Sequence, residues 1–153
     1  MRSGVDLTSA TKLKSNSLLV GAGVKLHGSG FLVDENTMQA WGTKYLGDIV
    51  KHYRNGKDLF GKPRNLCVID FYGLSETQIQ EFPEPFQKVL EEVKPERDVN
   101  KRKVRRENWW LFGENMPKTR ESVSGLARYL ATPETAKHRV FVFLEKSILP
   151  DNK

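Results

Sequence analysis

The chain has 153 residues, 38% of them apolar and 10% aromatic, enough to bury one core and too apolar for a disordered chain. It has no run of about 18 apolar residues and no charged, apolar, then small-residue leader, so neither a membrane span nor a secretory signal is expected; its single cysteine excludes an internal disulfide and fits a reducing cytoplasm. The net charge of +6 arises in residues 94–153, which hold 14 Lys and Arg against 8 Asp and Glu, while residues 1–93 hold 11 of each, an asymmetry that points to a polyanionic partner.

Residues 1–16 are polar and aperiodic and are expected as a leader, leaving 17–153 as the folded part. Residues 17–20 and 30–33 are predicted as short strands around the glycine-bearing loop 21–30, a hairpin. Asp34 is placed to cap a helix over 35–43 that turns Met38 and Trp41 inward. Asn55-Gly56 and Phe60-Gly61 are turn signals. Residues 66–71 form an apolar run read as a strand, with Cys67 a small core residue. Ser75 caps a short helix reaching Gln80, and residues 83–92 form an amphipathic helix in which Phe86, Val89 and Leu90, with Val93 beyond, recur at three- and four-residue spacing. The charge-dense residues 94–106 are expected as a basic linker between two sub-structures. Residues 109–112 and 140–144 are predicted as strands, and 120–126 as a short helix leading to Arg128-Tyr129-Leu130. The fold class is α+β: one compact domain of short helices and small mixed sheets.

Catalytic signatures fail on inspection. Gly21 and Gly23 are followed by Leu26 where a dinucleotide fingerprint needs a third glycine, and Gly28-Ser29 lacks the lysine of a phosphate-binding loop. His27, His52, His138 and Cys67 have no zinc-ligand spacing. Asp48, Asp58 and Asp70 receive no catalytic role, because a carboxylate's chemistry depends on geometry that spacing does not give. No catalytic residue, metal ligand or cofactor is assigned.

Chemistry that can bind a partner is concentrated between Arg105 and Phe143. Trp109 and Trp110 stand between Arg105 and Arg106 on one side and Lys118 and Arg120 on the other, and guanidinium groups beside aromatic faces suit phosphate and base contact. On a strand the two tryptophans point to opposite faces, one to the core and one partly to solvent. Lys101, Arg102, Lys103, Arg105 and Arg106 are read either as phosphate contacts or as a solvated linker. Arg120, Arg128, Lys137, His138 and Arg139 fall near element ends, from which each reaches a groove edge or pairs with a carboxylate such as Glu121 or Glu134.

Several motifs, in order along the chain, resemble one family. They are Gly28-Ser29-Gly30-Phe31-Leu32-Val33, Tyr53-Arg54-Asn55-Gly56-Lys57-Asp58-Leu59, Pro63-Arg64, Val68-Ile69-Asp70, Trp109-Trp110 with Pro117 and Arg120, the run from Gly125 through Arg128-Tyr129-Leu130-Ala131-Thr132-Pro133, the run from Ala136 through Lys137-His138-Arg139-Val140 to Leu144, and Leu149-Pro150-Asp151. Together, over residues 6–151, they resemble part of the target recognition domain of the MmeI-type restriction-modification enzymes, type II single-chain DNA adenine methyltransferase-endonucleases of bacterial defence. The resemblance implies a module that grips double-stranded DNA while the target adenine is flipped out. It implies a methyltransferase domain in the same parent chain as a partner, and S-adenosylmethionine as the parent's cofactor. The Asn/Asp-Pro-Pro-Tyr/Phe motif of methyl transfer is missing, since none of the seven prolines adjoins another, so this chain is not expected to be an enzyme by itself. On this reading the DNA-contacting residues are Lys101, Arg102, Lys103, Arg105, Arg106, Trp109, Arg120, Arg128, Lys137, His138 and Arg139. A protein interaction domain docking on a methyltransferase or nuclease, and an RNA-binding domain, are the alternatives.

Overall fold

Local side-chain caps open the first three of the short α-helices in the computed structural model, which describes Thr8, Thr11, residues 13–16 and residues 19–153. Helix α1 (Glu35–Trp41) begins where an Asp34 carboxylate oxygen accepts from the Thr37 amide at 2.8 Å, one of the first-turn amides that no helical carbonyl can reach. Helix α2 (Gly56–Phe60) opens on a reciprocal box: Asn55 accepts from the Lys57 and Asp58 amides, and Asp58 accepts from the Asn55 amide. Asn55-Gly56, read from the sequence as a turn, is thus a helix start. Ser75 and Gln78 make the same arrangement for α3 (Glu76–Ile79). Helix α4 (Pro83–Glu92) starts on a proline, whose missing amide costs nothing in the first turn, and it buries Val89 on its inner side. Helices α5 (Lys94–Asp98), α6 (Lys103–Glu107) and α7 (Pro117–Ser124) complete the helical set.

Among the described residues six short strands form two sheets. Strands β1 (Leu32–Val33), β2 (Val50–Arg54), β3 (Cys67–Ile69) and β6 (Ile148–Pro150) make a four-stranded sheet in the order β1-β3-β2-β6. It is antiparallel except for β2 and β6, which pair in parallel with His52 opposite Ile148 and Arg54 opposite Pro150. Strands β4 (Arg128–Ala131) and β5 (Val142–Glu145) form a separate antiparallel hairpin, with Arg128 opposite Glu145 and Leu130 opposite Phe143. The architecture is α+β, one compact domain, as the sequence implied.

Three expectations are corrected. Residues 21–30 do not close a hairpin. Residues 17 and 18 lie outside the described residues, 19–20 are not a strand, and Ser29–Phe31 is a turn of 3-10 helix. The backbone of Val24 instead bonds to Pro150 and Asn152, and that of Lys25 to Glu114, so the segment ties the C-terminal strand to the residues after the tryptophans. Residues 109–112 are not a strand but a turn leaving α6, closed by the Leu111 amide on the Asn108 carbonyl at 3.0 Å. Residues 94–106 are not a spacer: they fold as α5 and the start of α6, and one apolar core contains Val93 before them and Trp109, Trp110 and Phe112 after them. Of the leader expected over 1–16, the described Lys14–Asn16 form a 3-10 turn and residues 1–7 lie outside the described part.

Candidate nucleic-acid interface

Five cations converge on one short stretch of the surface. Lys101, Arg102, Lys103 and Arg106 are exposed at and around α6, and Arg105 is half-buried. Two of them are held locally: an Arg106 Nη1 donates to the Asn100 carbonyl at 2.6 Å, and Lys103 lies 3.5 Å from Glu107 one turn on. Among the described residues Lys101, Arg102, Arg105 and Arg106 make no ion pair, and of these Lys101, Arg102 and Arg106 are exposed. Exposed ion pairs of the Lys103–Glu107 kind contribute little and are easily exchanged for another anion.

Behind this surface lies Arg97, a core residue at 1% exposure. Its Nη2 donates to the Leu26 carbonyl at 3.0 Å, and its guanidinium stands 5.8 Å from the Phe31 ring. Burial pushes its pKa down from the usual guanidinium value, and neighbouring Arg105 pushes the same way. Nearby Glu96 opposes that shift, and among the described residues Arg97 makes no ion pair.

A second group of cations lies on the β4-β5 hairpin. Arg128 is exposed on β4, with its guanidinium 4.2 Å from the Phe143 ring centroid. Lys137, His138 and Arg139 are exposed on the connection between the two strands. Arg139 donates to the Pro133 carbonyl at 3.1 Å, which braces the connection. Among the described residues no hydrogen bond or ion pair links this group to the α6 group.

Two residues leave the expected DNA-contacting set. Trp109 is 3% exposed. Its Nε1 donates to Glu76 at 3.1 Å, its ring lies 6.1 Å from Phe86 and 5.9 Å edge-on to Trp110, and Trp110 is itself buried with its Nε1 on the Leu74 carbonyl at 3.0 Å. Because the pair sits on a turn and not a strand, the two rings do not diverge, and both enter the core. Arg120 is spent inside the fold. Its two Nη atoms grip the carboxylate of buried Asp70 at 2.7 and 3.0 Å, its Nε donates to the Asn115 carbonyl at 2.7 Å, and Lys51 approaches Asp70 from the other side at 3.2 Å. The partner is Asp70, and neither Glu121 nor Glu134.

Other candidate carboxylates and ligands resolve into structure. Asp58 is gripped by Arg64 at 2.9 and 2.8 Å. Cys67 is buried, its Sγ 3.6 Å from His52 Nδ1, and burial pushes its thiol pKa up, away from a nucleophile's. Among the described residues no three His, Cys, Asp or Glu side chains are grouped to hold a metal, and no helix is long and apolar enough to cross a membrane. A hollow of about 210 Å³ is lined by Glu35, Met38, His52, Arg54, Asn65 and Cys67.

Sequence reasoning missed the outer face of the hairpin. Leu130, Phe141 and Phe143 stand there at more than half exposure beside Arg128. The signal was present as Arg128-x-Leu130 and Phe141-x-Phe143, but apolar alternation on a strand is ordinarily read as the inward face. Here Tyr129 and Leu144 take that inward role.

No protein-family model matches the chain, and no curated protein matches it. Among solved structures it is similar to a Type IIL restriction-modification enzyme, MmeI, determined in complex with DNA: TM-score 0.64 and 13% identity, covering 86% of this chain. The chain spans 18% of the length of that protein. At this identity the likeness is one of fold.

Proposed function

We propose that this chain is a DNA-binding module of a restriction-modification enzyme, part of its target recognition domain, which holds duplex DNA through a basic surface and has no catalysis of its own. The observation that carries the reading is the α6 surface, where four of five clustered cations are exposed and, among the described residues, only Lys103 is paired with a carboxylate. The fold likeness to an enzyme solved with DNA supports the same direction. Lys101, Arg102, Lys103, Arg105 and Arg106 supply phosphate contacts, and Arg128, Lys137, His138 and Arg139 a second contact on the hairpin. The parent chain supplies the methyltransferase domain, its S-adenosylmethionine and the reaction, in a bacterial cytoplasm.

A protein interaction domain is the second reading, favoured by the exposed Leu130, Phe141 and Phe143. One titration separates them. The chain is titrated against a labelled random-sequence duplex by fluorescence anisotropy over a salt series, alongside the variant with Lys101, Arg102, Lys103, Arg105 and Arg106 all changed to Ala. A steep salt dependence whose log-log slope falls by about one unit per phosphate-contacting cation removed is the expected outcome. Binding that is absent at low salt overturns the proposal, and preference for an RNA single strand over the duplex moves it to the RNA-binding alternative.

A further inference from the structure

The β4-β5 hairpin presents two unlike faces. Its inner face is fixed: Leu144 is buried, the Tyr129 hydroxyl donates to the Ile148 carbonyl at 2.7 Å, and Pro133 is buried so closely against α2 that a Cβ on Gly56 would come within 3.2 Å of it. Its outer face carries Arg128, Leu130, Phe143 and Glu145 as two cross-strand pairs, Arg128 with Glu145 and Leu130 with Phe143, with Phe141 preceding β5. Leu130 is 58%, Phe141 62% and Phe143 56% exposed. Large side chains are thus held out into solvent from an anchored base.

Charge decides what such a face suits. From 126 to 146 the chain has four Lys or Arg against two Glu, and Lys137, His138 and Arg139 stand together on the connection. Arg128 lies across the Phe143 ring and makes no ion pair with its cross-strand neighbour Glu145. Apolar side chains projecting from a cationic, rigid ribbon match the chemistry by which proteins enter an opened base step, where the aromatic face replaces the lost stacking and cations hold the flanking phosphates.

We infer that the outer face of this hairpin is a wedge for duplex DNA, with Phe143 and Leu130 occupying a locally opened base step and Arg128 and the connection's cations holding the backbone beside it. The inference rests on the DNA-binding reading above and adds the contact that distorts the duplex. A wedge must open the stack before it can enter, so a duplex in which one step is already unpaired binds more tightly.

The test compares anisotropy titrations of the whole chain with a perfect random-sequence duplex and with the same duplex carrying a central two-base mismatch. The unaltered chain is expected to prefer the mismatched duplex by about fivefold or more, the low end of what one base-aromatic stack contributes. The double variant Leu130→Ala and Phe143→Ala is expected to lose that preference, and Phe143→Trp to keep it. The α6 charge variant is expected to weaken both duplexes equally. Equal affinity of the unaltered chain for the two duplexes, or a preference that survives the double variant, overturns the wedge while leaving DNA binding intact. Loss of a concentration-dependent dimer in the double variant, seen by sedimentation without any change in duplex preference, overturns it in favour of a second copy of this chain. Absence of salt-dependent binding to either duplex removes the DNA reading itself.

Discussion

Asp70 is the residue on which most side-chain charge converges inside the fold. It is 5% exposed and takes two bonds from Arg120 and an ion pair from Lys51. Removing one member of a buried pair strands the other, so Asp70→Ala is expected to cost about 3 kcal/mol. Arg120→Ala is expected to cost less because Lys51 remains, and urea midpoints of the two variants order them. Arg120 and Asp70 are 50 positions apart, which is why a search for nearby carboxylates selected Glu121 and Glu134 and missed the true partner. Asp58 behaves differently with pH. The Arg64 guanidinium holds its carboxyl well below the usual carboxylate range, helped by the Asn55 and Arg64 amides and opposed by burial. Because the folded pKa lies below that of the unfolded chain, near about 3.9, the stabilisation is fully present above that value and is lost as pH falls toward the folded pKa. Asp58→Asn is therefore expected to cost about 1–2 kcal/mol near neutral pH, and the gap between the two chains in urea denaturation is expected to close as pH is lowered below about 4. A gap that stays constant with pH would show that Asp58 acts as a cap alone.

Elements whose cause is local were the ones the sequence made visible. Asp34, Ser75 and the stripe of α4 located three helices to within two residues, because a cap and a helical face involve neighbours within one or two turns. Strand β6 went unread since it pairs with β2 across most of the chain; β2, which also pairs with the nearby β3, went unread as well. Trp109-Trp110 was misread since its aromatic pair has high strand propensity, while the helix α6 that delivers it ends at Asn108 and leaves a turn. Tight contact between elements also escapes sequence reading. Gly30 lies so near α4 that a Cβ there would meet Glu92 Cβ at 2.6 Å and a Val93 methyl at 2.8 Å. Gly30→Ala must push the 3-10 turn off α4, with an expected cost of about 1–3 kcal/mol, seen as a lowered melting temperature. An unchanged melting temperature would mean that the two elements slide apart freely.

At the scale of the molecule, the basic surface and the aromatic core are separate systems. Four of the five cations of 101–106 are exposed, and both tryptophans that follow them in sequence are buried with their ring nitrogens already engaged. Their adjacency in the chain suggested a single cationic and aromatic site, yet helix α6 turns one group outward and the other inward. With the remaining indole removed by Trp41→Phe, the emission of Trp109 and Trp110 is expected to resist acrylamide quenching and to shift by less than about a tenth on saturation with duplex, since neither ring reaches the surface where quencher or base would meet it. Strong quenching of that variant would contradict the burial of the pair. The large sheet has a different dependence on the order of the chain. Its β2 edge is completed by residues 148–150, the Tyr53 hydroxyl closes on Asp151 98 positions later, and Val24 bridges to the same aspartate. A chain emerging from the ribosome can form α4 as soon as that helix is clear, but β2 keeps an open edge until the last of these residues is out. The four-stranded sheet therefore stays incomplete until residues 148–150 are made, and a pause shortly before residue 148 would prolong the interval in which that edge is open to mispairing.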